Sequence, residues 1–197
     1  MKFFRKLYDW VLHWAETPYG PLALFLLAFA ESSFFPIPPD VLLIALCLGS
    51  ISKSWRFALY TAAGSILGGM AGYLIGFGLW GAVDSFFFKY IPGFTPETFN
   101  KVLFHYQKSG FWYVFLAGLT PIPYKVFTIA SGVFQMNFVP FIIASSISRS
   151  LRFFTIAALF RRFGPSIKSF IDKYFNLLAF LFFFLIILGF LLIKYIF

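Results

Sequence analysis

The stretch ESSFFPIPPDVLL, residues 31–43, breaks an otherwise apolar segment with three prolines and two carboxylates. Residues 19–35 before it are mostly apolar, and apolar sequence resumes with DVLLIALCLG at residues 40–49. Proline has no backbone N–H and disfavours helix in the residue before it, so a helix must end here. The stretch therefore predicts two short helices joined at a break. The prolines of the break are Pro36, Pro38 and Pro39.

The composition indicates an integral membrane protein. Of the 197 residues, 60% are hydrophobic and only 12% are charged, whereas soluble domains are about 25% charged. Neither short helix beside the break has the roughly 20 residues that a membrane-spanning helix needs. We therefore predict a re-entrant hairpin, in which two half-helices enter and leave the membrane on one side. Non-helical backbone at that depth requires surrounding protein or a wet cavity.

The break occurs twice. Shifting the chain by 85 positions aligns the PIP tripeptide at residues 36–38 with the one at 121–123, and Asp40 with Lys125. The second break contains Pro121 and Pro123. A spanning helix is predicted after each hairpin, over residues 55–81 and 138–161. A re-entrant hairpin does not cross the membrane, whereas the helix after it crosses once. The second copy therefore begins on the opposite side of the membrane and must be inverted. Inverted repeats with broken helices are typical of transporters.

The full prediction is an all-α membrane protein of two inverted repeats with a C-terminal spanning helix. Residues 2–16 resemble an amphipathic helix at the membrane surface, and Thr95 with the following proline predicts the start of a surface helix. The last spanning helix is expected from Asn176. The chain is divided into an interfacial segment at 1–18, a membrane domain at 19–165 and a C-terminal helix at 166–197. Within the membrane domain, the first repeat is 19–82, the linker 83–109 and the second repeat 110–164.

Glycines recur at every fourth residue of the first predicted spanning helix. Each step of four residues turns about 40° around a helix, so they form a slowly winding stripe of small residues. Such stripes allow another helix to approach closely, which we expect to be their role. The glycines are Gly64, Gly68, Gly72 and Gly76.

The basic residues predict the orientation. Under the predicted topology, nine lie on the side of the N-terminus: Lys2, Arg5, Lys6, Lys53, Arg56, Arg161, Arg162, Lys168 and Lys173. Four lie on the other side: Lys89, Lys101, Lys108 and Lys194. The positive-inside rule then predicts a cytoplasmic N-terminus. The net charge of +9 is thus explained by topology and anionic lipid rather than by nucleic acid.

Five ionisable residues are predicted within the membrane: Glu31, Asp40, Lys125, Arg149 and Arg152. Each costs at least about 2.5 kcal/mol at the centre of a lone helix, so such residues usually face a bundle interior or water and serve function. The alternative is a structural cluster of ion pairs. For Asp40 the main role expected is to cap the half-helix after the break. Lys125 lies near the positive end of a helix dipole and is expected to need an anion, which favours one anion site with Arg149 and Arg152.

No signature of catalysis, of a metal or of a cofactor is present in the sequence. The two histidines, His13 and His105, lie in predicted surface helices, and neither HExxH nor paired acids on one helix occur. The single cysteine, Cys47, excludes an internal disulfide and a cysteine-based metal site. We therefore expect a protein that is not an enzyme.

Four motifs together resemble the DedA family, closest to its YqaA-like branch in the group named for SNARE-associated Golgi proteins. They are FAESSFFPIPPDVLL at 29–43, GSILGGMAGYLIG at 64–76, GLTPIPYKVFTIASGVF at 118–134 and SRSLRFF at 148–154. The resemblance spans residues 20–165 and implies a bacterial inner-membrane protein with two facing re-entrant hairpins. It also implies an acidic pair, Glu31 and Asp40, and a basic pair near Leu119 or Thr120 and Lys125. An arginine is usual at the first of those basic positions, and Arg149 and Arg152 are candidates to replace it.

The resemblance also implies a function in lipid translocation, as a flippase or scramblase, with or without proton coupling. The expected partners are protons and membrane lipids, either anionic phospholipid or polyprenyl phosphate; a homo-oligomer is left open. One alternative is a proton-coupled transporter of small ions or solutes. A second is a membrane scaffold or assembly factor whose charges are purely structural.

The inverted topology predicts the labelling of single cysteines in a Cys47→Ala background. A cysteine at Ser52 should react with a membrane-impermeant thiol reagent from the cytoplasmic side, and one at Ser109 from the opposite side, because one spanning helix separates them. The measurement is labelling in intact cells against inverted vesicles. Reaction of both positions from the same side would contradict the inverted repeat.

Overall fold

The computed structural model describes residues 17, 19–35, 37–90, 95–120, 122–164 and 166. The amphipathic helix predicted over 2–16 and the helix predicted from Asn176 lie outside this part, as do Pro36 and Pro121. Within it, the chain forms helices and no strand, which confirms the all-helical prediction for these residues. The helices are α1 Tyr19–Ser33, α2 Pro39–Gly49, α3 Ser54–Tyr90, α4 Pro96–Leu119, α5 Tyr124–Val133 and α6 Phe138–Gly164.

Both breaks occur where the prolines predict them. At the end of α1, the N–H groups of Phe34 and Phe35 both donate to the carbonyl of Ala30, which closes the last turn before the prolines. Helix α2 begins at Pro39, where the missing N–H removes no helical hydrogen bond. Likewise α4 ends at Leu119, and α5 begins directly after Pro123.

Helix α3 is longer than its sequence predicts. Expected over residues 55–81, it begins at Ser54 and continues to Tyr90, over 37 residues and about 55 Å. No proline interrupts residues 82–90, so the backbone hydrogen bonds of the helix continue. A hydrocarbon core is only about 30 Å thick, and the last turns therefore extend beyond it. The Trp80 ring stacks on Phe99 of α4 at 5.0 Å and ties these turns to the next helix.

Helix α4 joins two segments that the sequence suggested were separate. The predicted start is confirmed, since the Thr95 side chain accepts the N–H of Thr98 at 3.2 Å and Pro96 follows it. The expected surface helix then continues without a break into the apolar half-helix before the second proline turn. Gly110 lies within this helix and does not end it. It packs against Met136, where an added methyl group would come within 2.9 Å of the methionine sulfur.

Two segments are long and apolar enough to cross a membrane. They are Ile51–Tyr90, with mean hydropathy 1.6, and Phe138–Gly164, with mean hydropathy 1.3. The first is α3 with the single 3-10 turn Ile51–Lys53 before it, and the second is α6. These are the two helices that were predicted to span after each hairpin.

Helices α3 and α6 run antiparallel. Arg161, near the end of α6, donates to the carbonyl of Ser52 just before α3. In the middle, the Arg149 side chain reaches Ser65 of α3. Towards the end of α3, the ring of Tyr73 packs against Phe141 near the start of α6, with 5.1 Å between ring centroids.

The glycine stripe of α3 lies against both hairpins, the first formed by α1 and α2 and the second by α4 and α5. A methyl group at Gly64 or Gly68 would collide with the backbone of α1, at Phe25 and Phe29 respectively. Further along the stripe, a methyl group at Gly72 would collide with Thr128 of α5, and one at Gly76 with the carbonyl of Ile129. On helix α5, Gly132 in turn lies against the carbonyl of Tyr73 on α3. The stripe therefore brings α1 and α5 end to end along one spanning helix.

Two apolar clusters flank a polar layer. The first lies between the first hairpin, the start of α3 and the end of α6, and contains Leu24, Leu43, Leu46, Cys47, Phe57, Ala58, Ala62, Phe153 and Ala157. The second lies around the second hairpin and contains Tyr73, Tyr106, Val114, Ala117, Tyr124, Phe134, Met136, Phe141 and Ala144. Between them on α3 and α6 lie buried Ser65, Ser145, Ser148 and Arg149.

The glycine contacts predict a position-dependent response to leucine. Gly68→Leu should lower the free energy of unfolding by about 1–3 kcal/mol, because the backbone of α1 fills the space that the side chain needs. The measurement is thermal unfolding of the purified protein in detergent. Gly78→Leu on the same helix is the matched control. A methyl group added at Gly78 would have no atom within 4 Å, so this variant should be neutral or slightly stabilising. Equal destabilisation by both would contradict close packing at the stripe.

Candidate functional site

The five charged residues singled out from the sequence line one cavity between the two breaks. Its volume is about 300 Å³. The lining residues are Glu31, Pro38, Asp40, Thr120, Ile122, Pro123, Lys125, Arg149 and Arg152. Both hairpins and α6 contribute, so the cavity exists only when the two halves of the chain are assembled.

Arg149 is the most deeply buried of the charges, with 3% of its surface exposed. Its Nη2 donates to Oε2 of Glu31 at 3.0 Å, and its Nε donates to the hydroxyl of Ser65 at 2.5 Å. The rings of Tyr124 and Phe153 lie 4.6 Å and 4.7 Å from the guanidinium carbon. Cation–π attraction strengthens when the cation is desolvated. Glu31, Ser65 and the two rings thus replace the water that this cation has lost.

Arg152 forms a two-point ion pair with Asp40. Its Nε and Nη2 donate to the two carboxylate oxygens at 3.0 Å and 2.9 Å. Its Nη1 donates to the carbonyls of Leu119 and Thr120 at 3.2 Å and 2.7 Å, at the end of α4. The guanidinium therefore lies at the place where the resemblance to the DedA family implies an arginine in the second hairpin. That Arg152 of α6 supplies this charge stays a prediction.

The capping role expected for Asp40 is wrong. The residue before α2 is Pro38, and no side chain makes a capping hydrogen bond there. Asp40 lies in the first turn of α2 instead, where a carboxylate still interacts favourably with the helix dipole. Its oxygens are directed at Arg152, because α6 brings a bidentate partner to them.

Lys125 contacts a backbone carbonyl rather than a carboxylate. It is the second residue of α5, at the positive end of that helix. Its Nζ donates to the carbonyl of Phe35 at 3.2 Å, beyond the last turn of α1. The anion expected at this lysine stays a prediction; within the described chain, the carbonyl-rich, negative end of the facing helix compensates its charge. No salt bridge links Lys125 to an acid of the described chain.

A single anion site formed by all three cations is not what the contacts show. Each of the two cavity arginines is paired with its own carboxylate, and of the three cavity cations Lys125 is the one with no ion pair to a described carboxylate. With all five groups charged, the cavity carries three cations and two anions, a net charge of +1. The role of the five residues as a substrate or proton pathway stays a prediction.

Hydrogen bonds join the two hairpins directly at the cavity. Thr128 of α5 donates to the carbonyl of Ser32 at the end of α1, at 2.9 Å. The Ser32 hydroxyl lies 2.7 Å from that of Ser65 and 3.1 Å from Glu31 Oε2. These side chains extend the polar network of Arg149 to the contact between the hairpins.

Sequence reasoning missed the neutral members of the site. Ser32, Ser65 and Thr128 are fully buried hydroxyls, and Tyr124 is a fully buried ring whose hydroxyl donates to Ser145 at 2.6 Å. Helical spacing contains part of the signal, since Tyr124, Thr128 and Ser131 recur on one face of α5. Within the described residues, no group of three or more His, Cys, Asp or Glu side chains could hold a metal ion.

The fold and the charged cavity define a helical membrane protein built around two broken helical hairpins. Residues 37–162 match the model of the VTT domain, the domain of the SNARE-associated and DedA family. The match covers more than half of the chain, which therefore belongs to this family. The resemblance drawn from the four motifs is confirmed at this level.

Two curated relatives each align with this chain over 159 residues. An uncharacterised protein of Haemophilus influenzae is 39% identical over 81% of this chain and 81% of its own length. An uncharacterised protein of Histophilus somni is 35% identical over 81% of this chain and 82% of its own. A third, from Methanocaldococcus jannaschii, is 28% identical over 68% of this chain and 79% of its own. No solved structure matches this chain.

The Glu31–Arg149 pair predicts a large, recoverable loss of stability. Arg149→Met should lower the free energy of unfolding by about 3–5 kcal/mol, because it leaves the carboxylate of Glu31, with 14% of its side chain exposed, without its counter-charge. The double variant Glu31→Gln/Arg149→Met should recover most of that loss. The measurement is unfolding in detergent by a spectroscopic probe.

The exposed pair of Lys101 and Glu97 provides the matched control. Its side chains are 71% and 80% exposed, so Lys101→Met should change the free energy of unfolding by less than about 1 kcal/mol. A double variant no more stable than Arg149→Met alone would contradict the pairing energetics.

Proposed function

We propose that this chain moves a lipid with an anionic, phosphate-bearing headgroup across a bacterial inner membrane, as a flippase or scramblase. In this proposal the two hairpins enter from opposite faces and the N-terminus is cytoplasmic. The observation that carries it is the cavity between the two breaks, with five charged side chains and a net charge of +1. A charged cavity within an apolar bundle is costly to maintain, which favours a functional role.

The surroundings of the cavity suit a lipid better than a free ion. Pro38, Ile122 and Pro123 contribute apolar lining beside the charges. Next to them, Phe34 and Ile37 are largely exposed, at 65% and 50%. In a bilayer such residues would face acyl chains, and the headgroup would occupy the polar space behind them. This arrangement supports a substrate that is polar at one end and apolar at the other.

Movement of a headgroup requires the hairpins to separate. Two hydrogen bonds hold them at the cavity, from Lys125 to the carbonyl of Phe35 and from Thr128 to that of Ser32. Each is a single bond to a neutral acceptor, so breaking either exposes no uncompensated carboxylate. The ion pairs to α6 could remain intact while the hairpins open, provided that Arg152 releases the carbonyls of Leu119 and Thr120 at the end of α4. An anionic headgroup that approaches Lys125 would compete with the Phe35 carbonyl and so favour the open state.

A second candidate function is a structural one, as a membrane scaffold. The observation that favours it is that both arginines are paired with carboxylates at 3.0 Å or less. Paired buried charges can stabilise a particular arrangement of helices without acting on a substrate. The cavity and the cation without a carboxylate partner favour transport over this alternative.

Headgroup-dependent flipping in reconstituted vesicles tests the proposal. Purified protein in phosphatidylcholine vesicles with fluorescent anionic phospholipid should speed its movement between leaflets by at least about tenfold over protein-free vesicles. Lys125→Met should abolish that increase, because it removes the one cation without a carboxylate partner in the described site. The measurement is quenching of the outer-leaflet fluorophore.

Lys108→Met provides the matched control, because Lys108 is an exposed lysine of α4 that does not line the cavity. It should flip lipid at the rate of the unmodified protein. Rates equal to those of protein-free vesicles, from protein that is folded and inserted, would contradict transport and favour the scaffold.

A further inference from the structure

We infer that the cavity selects a singly charged phosphate diester over a doubly charged phosphate monoester, with Lys125 as the cation that contacts the phosphate. This inference rests on the proposed function and names the substrate class of the same site. It follows from the ion pairs and hydrogen bonds that the five charged residues of the cavity already form.

The Arg152 guanidinium has little capacity left for a ligand. Four hydrogen bonds engage it, two to Asp40 and one each to the carbonyls of Leu119 and Thr120. Guanidinium has five N–H donors, so one remains. A phosphate cannot form the usual two-point contact with Arg152 unless the Asp40 pair or the bonds to α4 are broken.

The Arg149 guanidinium is shielded. The rings of Tyr124 and Phe153 lie within 5 Å of it, and Glu31 and Ser65 occupy its edge. Only 4% of its side chain is exposed. Its charge contributes to the field in the cavity, but that charge is balanced locally by Glu31.

Lys125 is the cation that remains to meet a ligand. It lines the cavity and is half-buried, and its described hydrogen bond goes to a neutral carbonyl. An ammonium group has three donors, so two remain after the bond to Phe35. A phosphate diester has two non-bridging oxygens and a single negative charge, which match those two donors and the net charge of +1.

A phosphate monoester would leave a charge uncompensated. Its second pKa is about 6, so it carries close to two negative charges above neutral pH. Added to a cavity of net charge +1, it leaves a net charge of −1. Electrostatic energies rise steeply as the dielectric constant falls, so that residual charge is much more unfavourable within the bundle than in water. Charge balance in the cavity therefore discriminates between the two headgroups.

Removal of either carboxylate should reverse the preference. Asp40→Asn and Glu31→Gln each raise the net charge of the cavity from +1 to +2 while keeping the size of the side chain. The extra positive charge then balances a doubly charged phosphate. Two variants are used because either single change weakens an ion pair, and a variant that fails to fold leaves the other to give the answer.

The experiment compares the affinities of purified protein in detergent for two short-chain lipids at pH 8.5. They are dihexanoyl phosphatidylglycerol, a diester, and dihexanoyl phosphatidic acid, a monoester. The unmodified protein should bind the diester at least tenfold more tightly. Each carboxylate variant should shift the ratio of the two affinities by tenfold or more towards the monoester. Lys125→Met should weaken binding of both, and Lys108→Met, which changes the same charge away from the cavity, should leave both unchanged.

A third ligand, glycerophosphoglycerol, separates a lipid from a free headgroup. It carries the same phosphate diester without acyl chains. Tighter binding of the lipid supports a lipid headgroup as the ligand, and equal binding overturns the lipid as the ligand. Selection by charge is decided by the comparison of the two lipids.

The results that would overturn the inference are distinct from failure of the proposed function. Equal or tighter binding of the monoester by the unmodified protein, or an unchanged ratio in both folded carboxylate variants, overturns selection by charge, while lipid transport stands. Absence of binding of every lipid, together with absence of flipping in vesicles, overturns the proposed function and the inference with it.

Discussion

The compensation of one buried guanidinium, that of Arg149, shapes the centre of this protein. A cation in that position needs a counter-charge, a hydrogen-bond acceptor and polarisable surroundings, and the chain provides all three from separate elements. Glu31 comes from α1, Ser65 from α3 and Tyr124 from α5. Because each partner belongs to a different helix, satisfying the charge requires the first hairpin, the spanning helix and the second hairpin to be assembled around α6.

The glycine stripe makes that assembly geometrically feasible. Lys125 can reach the carbonyl of Phe35 only if α1 and α5 lie end to end, and both must then lie directly on α3. Gly68 and Gly72 allow this, because at either position a methyl group would collide with the hairpins. Close helix contact through small residues is a common solution in membranes, where apolar surface gives little drive for one helix to prefer another over lipid. Packing and charge compensation therefore depend on each other.

The charges of the cavity are unequal in their partners, and under the proposed function this makes them unequal in role. Two carboxylates balance two guanidiniums, and the lysine is held by a neutral carbonyl. The pairs can maintain the architecture while the lysine is available to a ligand. In this view the structural and functional interpretations of the five residues apply to different members of the cluster. The more buried arginine is the most structural of them, and Lys125 is the member best placed to contact a substrate.

Much of the architecture was determined by the sequence alone. The low content of charged residues indicated a membrane protein, and the prolines located both breaks, because proline disrupts a helix locally wherever it occurs. The glycine spacing and the five ionisable residues were also evident, since helical periodicity and charge in an apolar run need no tertiary information. The end of α3 and the continuity of α4 were harder to predict, because no residue type marks either. Gly110 lies in the middle of α4 and packs against Met136, a contact between residues distant in sequence.

Only the tertiary structure decided which charged residues of the cavity pair with which partners. Asp40 could have capped its own helix, but α2 begins at Pro39, so Asp40 lies in the first turn, where Arg152 of α6 binds it as a bidentate partner at 2.9 Å. Lys125 lacked a partner in any sequence argument, because its acceptor is a backbone carbonyl 90 residues away. Every residue has such a carbonyl, so none can be recognised from residue type. The pairing, and the single positive charge it leaves, depends on which helix ends meet, and long-range packing decides that.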